Sequence, residues 1–179
     1  MGKQMGVSLI KPVDKNTPFN EALRSTQTLQ GVYAGSSLIY LLVAKILSSV
    51  PSLPRGFVQW PESQYEQLLW GAAAITAIVV GITFLLLPKI TSPAALIQKK
   101  QIASLEELGY ELRQTHILKI VVMQIPAILG LVLFLFNGHW LHMIPFVLVN
   151  LFLLAATAPT QSAWEKAKMQ FESHQLITS

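Results

Sequence analysis

Four long apolar runs, at residues 31–50, 68–87, 117–136 and 143–158, break up a chain whose remaining segments are polar. None alternates with period two, so a β-barrel is not indicated. About 20 consecutive apolar residues are needed to cross a bilayer core as a helix. The first three runs meet that length, and the fourth approaches it once Trp140 and Leu141 are added. Helix-ending residues sit where the runs stop. Pro51 and Pro54 follow the first, Pro88 and Lys89 the second, Asn137 and Gly138 separate the last two, and Pro159 closes the fourth. The pattern predicts an all-α integral membrane protein whose four transmembrane helices form two in-out-in hairpins.

The connectors differ in charge, and the difference predicts orientation. Lys3, Lys11, Lys15 and Arg24 precede the first run. Lys89, Lys99, Lys100, Arg113 and Lys119 lie between or beside the second and third, and Lys166 and Lys168 follow the fourth. The two remaining connectors hold only Arg55. The positive-inside rule therefore places both termini and the middle connector in the cytoplasm. Trp60, Tyr65, Trp70 and Trp140 then fall at the outer interface, where amphipathic rings are favoured.

The middle connector has a pattern of its own. Ser92-Pro93 reads as a helix start, and Ser104 to Glu107 has capping-box spacing. Leu105, Leu108 and Leu112 recur on one face, which predicts a cytoplasmic amphipathic helix running on into the third span. Its stripe has three possible uses: the membrane surface, a partner, or the N-terminal segment of the same chain. The expected division is a cytoplasmic segment at 1–30, a first hairpin at 31–88, the amphipathic connector at 89–116, a second hairpin at 117–159 and a cytoplasmic tail at 160–179. Arg24-Ser-Thr-Gln and Arg113-Gln-Thr-His each precede a span, and Pro88 and Pro159 each close one, as in a diverged parallel repeat.

Composition sharpens this reading. The chain has 179 residues, of which 52% are hydrophobic and 12% charged. Soluble domains carry about a quarter charged residues, so a soluble enzyme is disfavoured. With no cysteine, disulfides, thiolate catalysis and cysteine-based metal sites are excluded. The net charge of +4 is spread over short connectors, with no dense basic face interleaved with aromatics, so nucleic acid is not an expected partner. The first 25 residues show neither a compact apolar core nor a small-residue cleavage site, and no cleavable signal peptide is expected.

Polar residues inside the spans are the places to look for chemistry. The third span carries Gln124-Ile-Pro-Ala-Ile-Leu-Gly130-Leu-Val-Leu. That string resembles the ion-carrying helix of the proteolipid (c-ring) subunits of rotary ATPases, and the chain as a whole is similar to small bacterial four-span proteins of unassigned function. The resemblance implies shared ancestry and a bacterial inner membrane location. The proteolipid helix carries a titrating carboxylate at the position occupied here by Gln124, and none of the four spans contains Asp or Glu. Rotary ion carriage is therefore not implied. Gln124 and Asn150 are expected to form interhelical hydrogen bonds, worth about 0.6–2 kcal/mol each. Pro126 removes a backbone donor and predicts a kink around residues 122–126.

Gly31, Gly35, Ser36 and Ser37 make one end of the first helix small enough for close helix approach. Lys45 lies near enough to the outer end for its ammonium to snorkel to the headgroups. His139 and His142 would share a helix face, but no carboxylate or cysteine is close to them in sequence, and an interfacial anchor is expected rather than a metal or haem site. No Walker A, G-x-S-x-G, H-E-x-x-H or dinucleotide motif is present, so no catalytic residue, cofactor or metal is expected. The functional expectation is a non-catalytic accessory or assembly subunit, partnered by the lipid bilayer and other membrane subunits. The alternative is a small homo-oligomeric transporter or channel.

Overall fold

The computed structural model describes residues 17–50, 61–100 and 102–178, and among these there are helices and no strands. The order is α1 (Thr17–Ser48), α2 (Glu62–Gly81), a π-helical turn (Ile82–Leu86), α3 (Leu87–Ile90) and α4 (Pro93–Lys100). Then come α5 (Leu105–Met123), α6 (Ile125–Asn137), a 3-10 turn (Trp140–Met143), α7 (Ile144–Ala156) and α8 (Gln161–Thr178).

Three continuous stretches, Pro18–Ser48, Glu62–Ile90 and Leu105–Asn137, are long and apolar enough to cross a membrane. At about 1.5 Å per residue each is roughly 45 Å long. The 3-10 turn with α7 supplies a fourth apolar stretch, which meets α8 at a bend of 46°. The bend follows Pro159, whose ring opposes continuation of α7.

The breaks have local causes. Pro88 has no N–H to give Phe84, and its ring crowds that carbonyl; the helix widens into a π turn over Ile82–Leu86 just before it. Pro126 acts similarly in the third stretch, where helical geometry lapses at Gln124 between α5 and α6. Gly138 ends α6 in the left-handed region, at φ 70°, and its N–H bonds Phe134 O at 2.7 Å. At the start of α5, Glu107 N–H donates to Ser104 Oγ at 3.1 Å, while the Glu107 carboxylate accepts from Ala103 N–H one residue before the cap.

Two regions of packing follow. At one end the N-terminal turns of α1 and α5 meet α4 and α8 around Leu108, which is wholly buried among Phe19, Leu23, Ile97, Trp164 and Phe171. The amphipathic stripe of α5 is thus spent on the chain's own N-terminal helix and tail helix. The charges of α8, at Glu165, Lys166, Lys168 and Glu172, lie on its outer side or edge, as a water-facing helix requires.

Along the rest of the bundle the surface is apolar. Leu38, Ile39, Leu42 and Ile46 of α1, Trp70 and Ile78 of α2, and Leu148 and Phe152 of α7 are more than half exposed. Polar side chains are found inside: Thr26, Gln30 and Ser37 are buried on α1, and Asn150 is fully enclosed on α7. Apolar outside and polar inside is the arrangement that hydrocarbon solvent favours. These helices are consistent with a membrane protein.

Among the helical glycines of the described residues, the tightest surroundings are at Gly130 of α6. A Cβ there would stand 3.0 Å from Phe146 Cβ and 3.3 Å from Met143 O. The methionine carbonyl belongs to a backbone turn and cannot swing aside. Gly130→Ala is therefore expected to cost about 1–3 kcal/mol by overpacking, despite alanine's better helix propensity. Thermal unfolding in detergent would register the loss, and an unchanged or raised midpoint would contradict this packing.

Candidate functional site

The buried polar side chains of the bundle form a seam where α1 crosses the α5–α6 break and α7. Along α1 the buried positions are Phe19, Leu23, Thr26, Gln30, Ser37 and Ala44, a spacing of three, four or seven residues that keeps one stripe facing inward. The middle of that stripe is polar. Ser37 Oγ lies 2.8 Å from Asn150 Oδ1, 3.1 Å from Tyr33 O and 3.3 Å from Gln124 Oε1. A hydroxyl has one proton, and Asn150 Oδ1 is its best-placed acceptor.

Asn150 and Gln124 each hold a backbone carbonyl with their amide nitrogen. Asn150 Nδ2 donates to Met123 O at 2.6 Å, and Gln124 Nε2 donates to Tyr33 O at 3.1 Å. Neither amide can be turned over, because its oxygen would then face a carbonyl that only accepts. Met123 is the last residue of α5, so α7 supplies a donor at the point where the third helix is interrupted. The structure thus brings Gln124 and Asn150 to the same serine and sets both beside the break introduced by Pro126.

A second part of the seam was not foreseen from sequence. Gln30 Nε2 donates to Leu154 O, and Gln30 Oε1 accepts from His116 Nε2 at 2.8 Å. Because Gln30 spends its amide N–H on a carbonyl, His116 must carry its proton on Nε2. Nearby, Gln27 Nε2 reaches Pro159 O at 3.0 Å. Gln27, Gln30 and Ser37 thus fasten α1 to α7 and its C-terminal end. The signal for them is the inward stripe on α1, hidden because Gln30 and His116 stand at the edges of their apolar runs. Among the described residues, the buried side-chain polar atoms left without a partner are the hydroxyls of Thr76 and Thr83, on α2 and the π turn.

The seam offers little reactivity. The oxygens around Ser37 Oγ are amide and carbonyl oxygens, and among the described residues no base is hydrogen-bonded to it. Among the described residues, no three His, Asp or Glu side chains are grouped to hold a metal.

The histidine pair has a different setting from the one expected. His139 and His142 lie with ring centroids 5.6 Å apart, and α2 brings Glu62 and Glu66 to the same cavity of about 430 Å³. Carboxylates distant in sequence are neighbours in space. The cavity's inner wall is Tyr65, buried, whose hydroxyl lies 2.6 Å from His142 Nδ1, and Asn137 lines the cavity beside it. Lys45 has its ammonium 5.6 Å from the centre of the Trp140 ring, a cation–π placement near the same end of the bundle.

No protein-family description matches the chain, and neither characterised proteins nor solved structures gave a match. The chain is thus defined by its own architecture: all-helical in its described residues, with three to four apolar helices long enough to span a membrane.

Proposed function

We propose that this protein is a non-catalytic accessory or assembly subunit of a larger membrane complex, in the inner membrane of a bacterium. In this reading it crosses the bilayer four times as two hairpins, with both termini and α4 on the cytoplasmic side. The observation that carries it is the state of the seam. Gln124, Asn150, Ser37 and Gln30 each make hydrogen bonds that hold α1, α5–α6 and α7 together, so helix-to-helix contact accounts for the presence of these polar groups in the seam. That favours a scaffold over the alternative, a small homo-oligomeric transporter or channel.

The outer surface of α1 supports the same reading. Gly31 and Gly35 lie one turn apart, and a methyl group added at either would meet nothing within 4 Å, so neither glycine is needed for close packing inside the chain. Gly31→Leu and Gly35→Leu should leave the isolated fold intact. If the small face serves another subunit, these changes should reduce co-purification from native membranes by mild detergent. A protein that runs as a lone monomer, with no partner in such a pull-down, would sink the proposal. Flux in proteoliposomes, abolished by Gln124→Leu and Asn150→Leu without loss of folding, would favour the transporter.

Topology has its own test, made clean by the lack of native cysteine. Cysteines introduced at Ser63 and Gly138 are expected to react with an impermeant thiol reagent added outside intact cells. Those at Ser104 and Ser173 should react only after the membrane is opened. Labelling of Ser104→Cys in sealed cells would invert the orientation.

A further inference from the structure

We propose that the cavity between the start of α2 and the turn at 139–142 binds a zwitterionic phosphoethanolamine headgroup, its ammonium against Glu62 and Glu66 and its phosphate against the histidines. The cavity, at about 430 Å³, is of ligand size and open at one side.

One wall is anionic. Glu62 and Glu66 stand one helical turn apart, and like charges at that spacing repel. Glu62 lies in the first turn of α2, where the helix dipole offsets its charge, but that effect fades beyond the first turn and helps Glu66 less. Both are exposed, and among the described residues neither is ion-paired. An ammonium placed between them relieves the repulsion and satisfies two acceptors at once.

The opposite wall donates. Tyr65 Oη lies 2.6 Å from His142 Nδ1, and a phenol that donates its proton there leaves the His142 ring proton on Nε2. In that tautomer the imidazole presents an N–H donor on the side away from the buried tyrosine. His139, exposed beside it, adds a second donor. Carboxylates on one side and N–H donors on the other match the charge order of a zwitterion better than that of a bare cation.

The source of the headgroup rests on the membrane reading above, in which this end meets the outer leaflet. The cavity's chemistry does not, so the two can fail separately. Full-length protein, purified and delipidated in maltoside detergent, would be titrated with phosphatidylethanolamine, phosphatidylglycerol and soluble phosphoethanolamine, with binding read by native mass spectrometry. Phosphatidylethanolamine is expected to bind about tenfold or more tightly than phosphatidylglycerol, the factor of one charge-assisted hydrogen bond. The double variant Glu62→Gln with Glu66→Gln should abolish that preference, and His139→Ala should weaken it; both sites are exposed, and monodispersity checks the fold. Binding of soluble phosphoethanolamine at the affinity of the lipid would assign the site to a free metabolite, with the same cavity chemistry. Equal affinity for the two lipids together with no soluble binding, or a preference that survives the double variant, would overturn the proposal.

Discussion

Asn150→Leu is expected to lower the stability of the bundle by about 2 kcal/mol, because it leaves a carbonyl at a helix break without a donor in an apolar interior. Asn150 is fully buried, and its Nδ2 is bonded to Met123 O at 2.6 Å. Leucine fills a similar volume, so the loss comes from hydrogen bonding more than from packing. Ser37 is less exposed to the change, since its proton can turn to Tyr33 O or Gln124 Oε1. Ser37→Ala should therefore cost less, about 0.5–1 kcal/mol. Asn150→Asp should cost more than leucine, since it sets a carboxylate oxygen against the Met123 carbonyl and buries a charge or forces its protonation. Unfolding titrated with denaturing detergent and followed by circular dichroism gives the three free energies. Asn150→Leu at full stability, or Ser37→Ala as the most damaging of the set, would refute this account of the seam.

What the sequence made legible, and what it hid, follows from the contrast between a residue and its surroundings. Gln124 and Asn150 stand out because each is a polar side chain within a long apolar run, and hydrocarbon leaves such a group few options but another helix. Pro126 is equally visible because its effect is local. Gln30 and His116 are not visible in that way. They lie at the margins of apolar runs, where polar residues are ordinary, and only the pairing of α1 with α5 makes them partners. The use of Leu108 was one of three options until Phe19 and Trp164 were placed against it. The carboxylates beside the histidine pair could not be read at all, since Glu62 and His142 are brought together by the packing of α2 on α6 and the 3-10 turn. Periodicity reports which face of a helix is buried, and is silent on which helix will cover it.

Gln124→Glu tests whether the seam can be turned into an ion site. Gln124 is buried, with its Nε2 donating to Tyr33 O at 3.1 Å and its Oε1 3.3 Å from Ser37 Oγ. An ionised glutamate would place a negative oxygen against the Tyr33 carbonyl, with no cation in the seam to compensate. A protonated one could instead donate to that carbonyl, and this neutral form is the one the surroundings favour. Desolvation and the carbonyl therefore act together to hold the proton, where a working ion carrier must release it. The variant is expected to fold with a loss of about 1–3 kcal/mol. A dicyclohexylcarbodiimide label, which requires a protonated carboxyl group, is expected to react without protection by Na⁺. Mass spectrometry of the labelled protein, across a Na⁺ titration and a pH series, measures this directly. A variant as stable as the parent, whose labelling is suppressed by Na⁺, would show that the oxygens of Ser37, Asn150 and Tyr33 complete a cation site once a carboxylate is supplied, and the scaffold reading of the seam would give way to an ion-carrying one.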